Sequence, residues 1–253
     1  MKEKKTIFRK KSQKLISSNM KKKAEITTQQ IVLLIVLLVS FIVLLFFLFK
    51  LNPKELSEKQ ICQSSIRLSG EKSFFSSIDC KINYLCISGG KGCEGFTPKN
   101  TIKVDLSAKD AKNQTMKAIA DEMADCWWMF GEGKVNYMTK ITTIGEKHCA
   151  ACTEFAFDPS IVKIGTITKD EFNTYLKNTK KGDVQTYFGY LFTSFDEKTL
   201  TYFPTQIDYN KKYGVYTGRE NPYTLASQQA IPVKILDRTE SSSLGCSSFI
   251  TTP

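Results

Sequence analysis

One apolar run stands apart from everything else in the chain. Ile31 to Phe49 reads IVLLIVLLVSFIVLLFFLF, with Ser40 its one polar residue and no Gly, Pro or charge. As a helix, nineteen residues rise about 28 Å, close to the roughly 30 Å hydrocarbon core of a bilayer. The run predicts a transmembrane helix within residues 26–51. A cleaved secretory signal has a shorter apolar stretch and a small-residue cleavage site. Phe46 to Pro53 reads FFLFKLNP and offers no such site, so the segment reads as an uncleaved signal anchor.

Beyond it the pattern is mixed. Asn52-Pro53 opens a polar juncture with Pro suited to a helix's first turn, predicted helical through Ile61. Residues 78–88 (IDCKINYLCIS) have β composition, and 101–106 (TIKVDL) alternate Ile102, Val104 and Leu106. Between Ser107 with Asp110, a capping-box-like start, and Gly131, a helix stop, the apolar positions are Met116, Ile119, Ala120, Met123, Cys126, Trp127 and Phe130. At 100° per residue they fill an arc of about 120°, the stripe of a helix docked on a core. Thr168 with Glu171 caps a short helix carrying Phe172, Tyr175 and Leu176. Residues 187–195 (YFGYLFTSF) suit strand or helix. Residues 205–209 and 213–217 read as a hairpin around Asn210-Lys211-Lys212. Residues 231–236 (IPVKIL) form a strand whose Pro232 suggests a sheet edge or a strand start.

The expected class is α+β: an N-terminal transmembrane helix followed by a mixed α/β extracytoplasmic domain with disulfides. The parts are a basic cytoplasmic tail over 1–25, the transmembrane helix over 26–51, the extracytoplasmic domain over 52–240, and a flexible C-terminal tail over 241–253, which Cys246 is placed to tie down.

Charge sets the orientation. Up to Lys50 there are eleven Lys or Arg against Glu3 and Glu25, a net +9 of the chain's +11, which leaves +2 for residues 51–253. The folded part has no basic excess for nucleic acid. Ten of the basic residues lie in the first 23, so the positive-inside rule places the N-terminus in the cytoplasm. The bilayer is the expected partner of residues 31–49. Anionic headgroups are expected to draw the tail at about 1 kcal/mol per basic residue near the surface.

Cys62, Cys80, Cys86, Cys93, Cys126, Cys149, Cys152 and Cys246 all follow the apolar run. Outside the cell they are expected to form disulfides. Eight cysteines allow 105 pairings. The Gly-rich loop between Cys86 and Cys93 suits a local bridge. Cys126 lies on the helix stripe, with Cys149 or Cys152 as the natural partner beneath. The CAAC motif at Cys149–Cys152 has three readings: structural cysteines, a redox dithiol or half a metal site. Phe155 and Phe157 alternate after it, so it lies on a strand, where positions three apart face opposite sides and take separate partners. No second C-x-x-C completes a zinc ribbon. His148, the single histidine, lacks an orienting group for a Cys–His pair and reads as a loop residue.

Asp121, Asp125, Trp128 and Glu132 share the helix side away from the stripe. An indole among three carboxylates reads as a partner patch or as a solvated face. No catalytic, cofactor or metal residue emerges, and Gly131-Glu132-Gly133-Lys134 lacks phosphate-loop spacing.

The stretch Asp121 to Lys134 (DEMADCWWMFGEGK), the later Cys-x-x-Cys before a strand ending Phe157-Asp158, and the helix over Phe172–Leu176 resemble a group of uncharacterised single-pass envelope proteins from small-celled archaea. The resemblance covers about residues 25–195. It implies an anchor and a cysteine-bearing extracytoplasmic domain, and no activity. The expected function is a membrane-anchored structural or interaction protein with an envelope partner. The alternatives are a tethered thiol–disulfide oxidoreductase using Cys149 and Cys152, and a pilin-like filament subunit processed near Lys21–Ala24.

Overall fold

The computed structural model describes residues 28–50, 53–71, 78–137, 145–193, 195, 201–220 and 229–251. The basic tail and the Lys21–Ala24 processing motif lie outside them. The chain forms two units, one ending at Pro53 and one beginning at Lys54.

The first unit holds helix α1 (Thr28–Lys50). Its side chains are described from Ile31 to Phe46, and all but Leu45 are exposed. Ser40 donates its hydroxyl to the Leu37 carbonyl at 2.9 Å, so the one polar group of the run is satisfied within the helix. Counted over the fully described residues, no helix is long and apolar enough to cross a membrane. The nineteen-residue length expected from the sequence is reached only with residues 47–49, whose side chains are not among them.

The second unit is a mixed α/β domain stapled by four disulfides. It opens with helix α2 (Pro53–Glu71), with Pro at its first position as expected but running past Ile61. Strands β1 (Asn83–Ser88) and β2 (Asn100–Lys103) follow, then helix α3 (Ala111–Met129) and the long strand β3 (Lys147–Phe157). Helix α4 (Lys169–Asn178), the two-residue strands β4 (Lys180–Lys181) and β5 (Gln185–Thr186), and helix α5 (Tyr187–Phe192) lead to β6 (Tyr213–Glu220), β7 (Gln229–Asp237) and β8 (Ser248–Phe249). The main sheet runs β2-β1-β3-β6-β7. Its β2-β1-β3 side is parallel and its β3-β6-β7 side antiparallel, and β8 pairs with the first residues of β3.

Helix α3 lies over β3, β6 and β7. Every residue of its predicted stripe, from Met116 to Phe130, is buried. Leu85, Ile87, Phe155, Val215, Val233 and Ile235 meet it from the sheet. Each fully buried aliphatic or aromatic side chain of this size contributes about 1.5–3 kcal/mol.

The pairing of β3 with β6 slips between Ala151 and Thr153, leaving Cys152 as an extra residue. A bulge of this kind turns two successive side chains toward one face. Ala150 and Cys152 face the helices before it, and Phe155 and Phe157 after it. Across the pair, Gly218 sits opposite Cys149, where an added Cβ would lie 2.3 Å from the His148 carbonyl oxygen. Only glycine permits that approach.

Several expectations change in detail. Helix α3 is not capped by Ser107. The Ser107 hydroxyl donates to Asp105 at 2.6 Å, and Asp110 at the N-cap makes no side-chain capping bond. Gly131 does end the helix, with φ +74°. The Thr168–Glu171 capping box forms as expected, and residues 187–192 are helical. The hairpin does not form. Strand β6 is flanked by β3 and β7, while residues 205–207 bond to the start of α4, with Lys169 N–H donating to Thr205 at 2.9 Å. Among the described residues β7 ends the strand order, as Pro232 suggested, and its Ile235 N–H donates to the Tyr202 carbonyl at 2.8 Å. The C-terminal segment is pinned by β8 and by Cys246.

Candidate functional site

The cysteines pair as Cys62–Cys80, Cys86–Cys93, Cys126–Cys152 and Cys149–Cys246. The local Cys86–Cys93 bridge is the one expected, and of the two partners expected for Cys126, Cys149 or Cys152, it is Cys152 that bonds it. The two thiols of the CAAC motif take separate partners, so the motif holds no dithiol of its own. The described residues leave no cysteine free, and no group of His, Cys, Asp and Glu among them could hold a metal ion. His148 Nδ1 lies 2.6 Å from the Ser248 hydroxyl, a contact that ties β8 to β3.

Beside the Cys126–Cys152 bridge the sheet extends past helix α3. The open space is a cleft of about 720 Å³, bordered by α2, β1, β2 and α3. Its apolar lining includes Leu85, Ile102, Trp128 and Met129. Its polar lining is a connected network. Lys59 on α2 reaches Asp125 at 2.5 Å and Glu122 at 3.5 Å. Glu122 accepts from Thr153 at 2.6 Å and from Asn83 at 3.4 Å, and Asn83 accepts from Asn100 at 3.0 Å. One buried carboxylate thereby links both helices to three strands. Burial by itself would lower the Lys59 pKa, but Glu122 and Asp125 outweigh it and hold the ammonium above its usual value.

The bulge makes this arrangement possible. Cys152 and Thr153 both face α3, where Cys126 and Glu122 stand one helical turn apart. The sequence reading missed Glu122, Lys59, Asn83 and Asn100. The available signal was a carboxylate four residues before a core cysteine, at the margin of the apolar stripe.

The four residues of the expected patch divide. Asp125 and Trp128 line the cleft. Asp121 pairs with Lys117 at 2.6 Å and accepts from the Tyr187 hydroxyl. Glu132 pairs with Lys134 at 2.7 Å and accepts from the Tyr190 hydroxyl at 2.9 Å. The bond to Lys134 holds the Glu132 carboxyl below its usual range. Burial and the neighbouring carboxylates raise both tyrosines. Tyrosines of helix α5 therefore hold the two outer residues of the patch, and the two middle ones open into the cleft.

A second polar cluster sits at the far end of β1. Asp158 is fully buried and accepts from Ser88 at 2.6 Å, from the Lys91 N–H at 2.8 Å and from Ser160. Burial opposes ionisation, but these hydrogen bonds prevail and hold the carboxyl at about 2. The cluster anchors the loop closed by Cys86–Cys93. No family model, curated protein or solved structure matches the chain.

Proposed function

We propose that the chain is a single-pass membrane protein whose disulfide-stapled domain stands outside the cell and binds an envelope partner at the α2–α3–β2 cleft. The observation that carries the reading is the use of all eight cysteines in four bridges within residues 54–253. Such bridges persist in oxidising compartments and are rare in the cytosol.

Helix α1 supplies the anchor. Its apolar run over residues 31–49 rises about 28 Å, close to a hydrocarbon core of roughly 30 Å. The lysine-rich tail stays in the cytoplasm against anionic headgroups. The resemblance to archaeal single-pass envelope proteins belongs to the same proposal. An oxidoreductase needs a dithiol that closes on itself, and the partners of Cys149 and Cys152 leave none. The filament reading rests on residues outside the described ones.

The test is protease treatment of intact cells combined with thiol alkylation without reductant. The domain is expected to be cleaved from outside and to resist alkylation at every cysteine. A protected domain with reactive thiols overturns the proposal.

A further inference from the structure

The sheet edge at the cleft narrows the chemistry of the occupant. Strand β2 ends the strand order, and among the described residues it pairs with β1 alone. Side chains alternate between faces along a strand. Three consecutive residues, Asn100, Thr101 and Ile102, nevertheless line the cleft. A cavity that touches all three meets the edge of the strand as well as one face. The Val104 backbone N–H, just past β2, donates inward to Ser88 at 2.7 Å, and on the other side of β1 the Ile87 carbonyl accepts from Asp158 at 3.1 Å. Backbone groups alternate in direction along a strand, so Ile102, two residues before Val104, turns its groups toward β1, and Thr101 and Lys103 turn theirs away.

An edge of this kind takes an extended peptide as an added strand, with main-chain bonds for affinity and neighbouring pockets for alternate side chains. Charge selects among peptides. Outside the Lys59–Glu122–Asp125 cluster, the charges lining the cleft are Lys81, Lys99 and Lys181 against Glu58. Lys103 closes β2. The partly exposed Ile102 and Trp128 offer apolar contact along the same line.

We infer that the cleft takes an extended acidic segment of a partner protein, added as a strand to β2, with apolar side chains on Ile102 and Trp128 and carboxylates toward Lys81, Lys99 and Lys103. This rests on the partner-binding reading above. Lysines also guard sheet edges against any added strand, and the experiment separates the two roles.

The full-length protein in detergent micelles is titrated with a blocked, alternating Glu-Val heptapeptide and with its Lys-Val counterpart, and backbone hydrogen exchange is followed. The acidic peptide is expected to bind about tenfold more tightly than the basic one, with the preference reversed by Lys99→Glu together with Lys103→Glu. Exchange at the Thr101 and Lys103 amides is expected to slow about tenfold on binding. Thr101→Pro removes one outward N–H without touching a β1–β2 bond, and is expected to abolish binding while the thermal midpoint stays near that of the parent. Equal binding of the two peptides, no binding of either, or protection elsewhere in the domain overturns the inference. A domain that is protease-accessible and disulfide-bonded outside the cell, yet binds neither peptide, refutes the added strand and leaves the anchored-domain proposal standing.

Discussion

Thr153 donates to Glu122 at 2.6 Å beside the Cys152–Cys126 bridge, so a hydrogen bond and a covalent bond join β3 to α3 within one helical turn. Both groups are buried. Thr153→Val keeps the shape and removes the donor, and is expected to cost about 1–3 kcal/mol in urea unfolding. The double variant with Glu122→Ala should lose less than the two single losses added together. Simple additivity would mean that the pair does not act as a unit.

The four bridges close loops of different length, from 7 residues for Cys86–Cys93 to 97 for Cys149–Cys246. On the chain-entropy account, removing the long one by Cys149→Ala with Cys246→Ala should cost about 2 kcal/mol more than removing the short one. Denaturant midpoints of the two double variants measure the difference. Equal midpoints would mean that native packing, and not loop length, sets the contribution.

Gly218 tolerates no side chain, because the His148 carbonyl oxygen stands 2.3 Å from where a Cβ would be. Gly218→Ala should push β6 from β3 at the Cys149 position and lower stability by about 1–3 kcal/mol. Calorimetry on the purified variant checks this, and an unchanged melting temperature would show that the strands separate without strain.

Acid should loosen the loop closed by Cys86–Cys93. The Asp158 carboxyl is depressed from 3.8 to about 2, so its stabilisation is complete above the unfolded value and is lost as pH falls from about 4 toward 2. The loss is on the order of 2 kcal/mol. Asp158→Asn should be less stable than the parent at neutral pH, with a shallower decline over that acid range. A parallel decline in the two proteins would assign the acid sensitivity to other carboxylates.

Helix α3 was legible because its stripe repeats every three to four residues, and each stripe position is buried. The two-partner fate of the CAAC cysteines followed from strand geometry. The cleft was not legible. Lys59, Asn83, Asn100 and Glu122 lie far apart in the chain, and only the parallel pairing of β1 with β2 and the position of α2 bring them together. The failed hairpin has a similar cause: local alternation around Lys211 cannot reveal that β6 already has a neighbour on each side.

The bridges also impose an order of events. Three of them join cysteines that are close in sequence, while Cys149 must wait for Cys246 near the far end. If the domain is exported from the anchor onward, as proposed above, Cys126 meets Cys149 three residues before its proper mate, Cys152. Oxidation at that moment would lock the wrong couple, and correct maturation on that route would then need delay or reshuffling. A chain cut short before Cys246 would carry a solitary thiol on β3, a chemical flag of incompleteness that a cell could read.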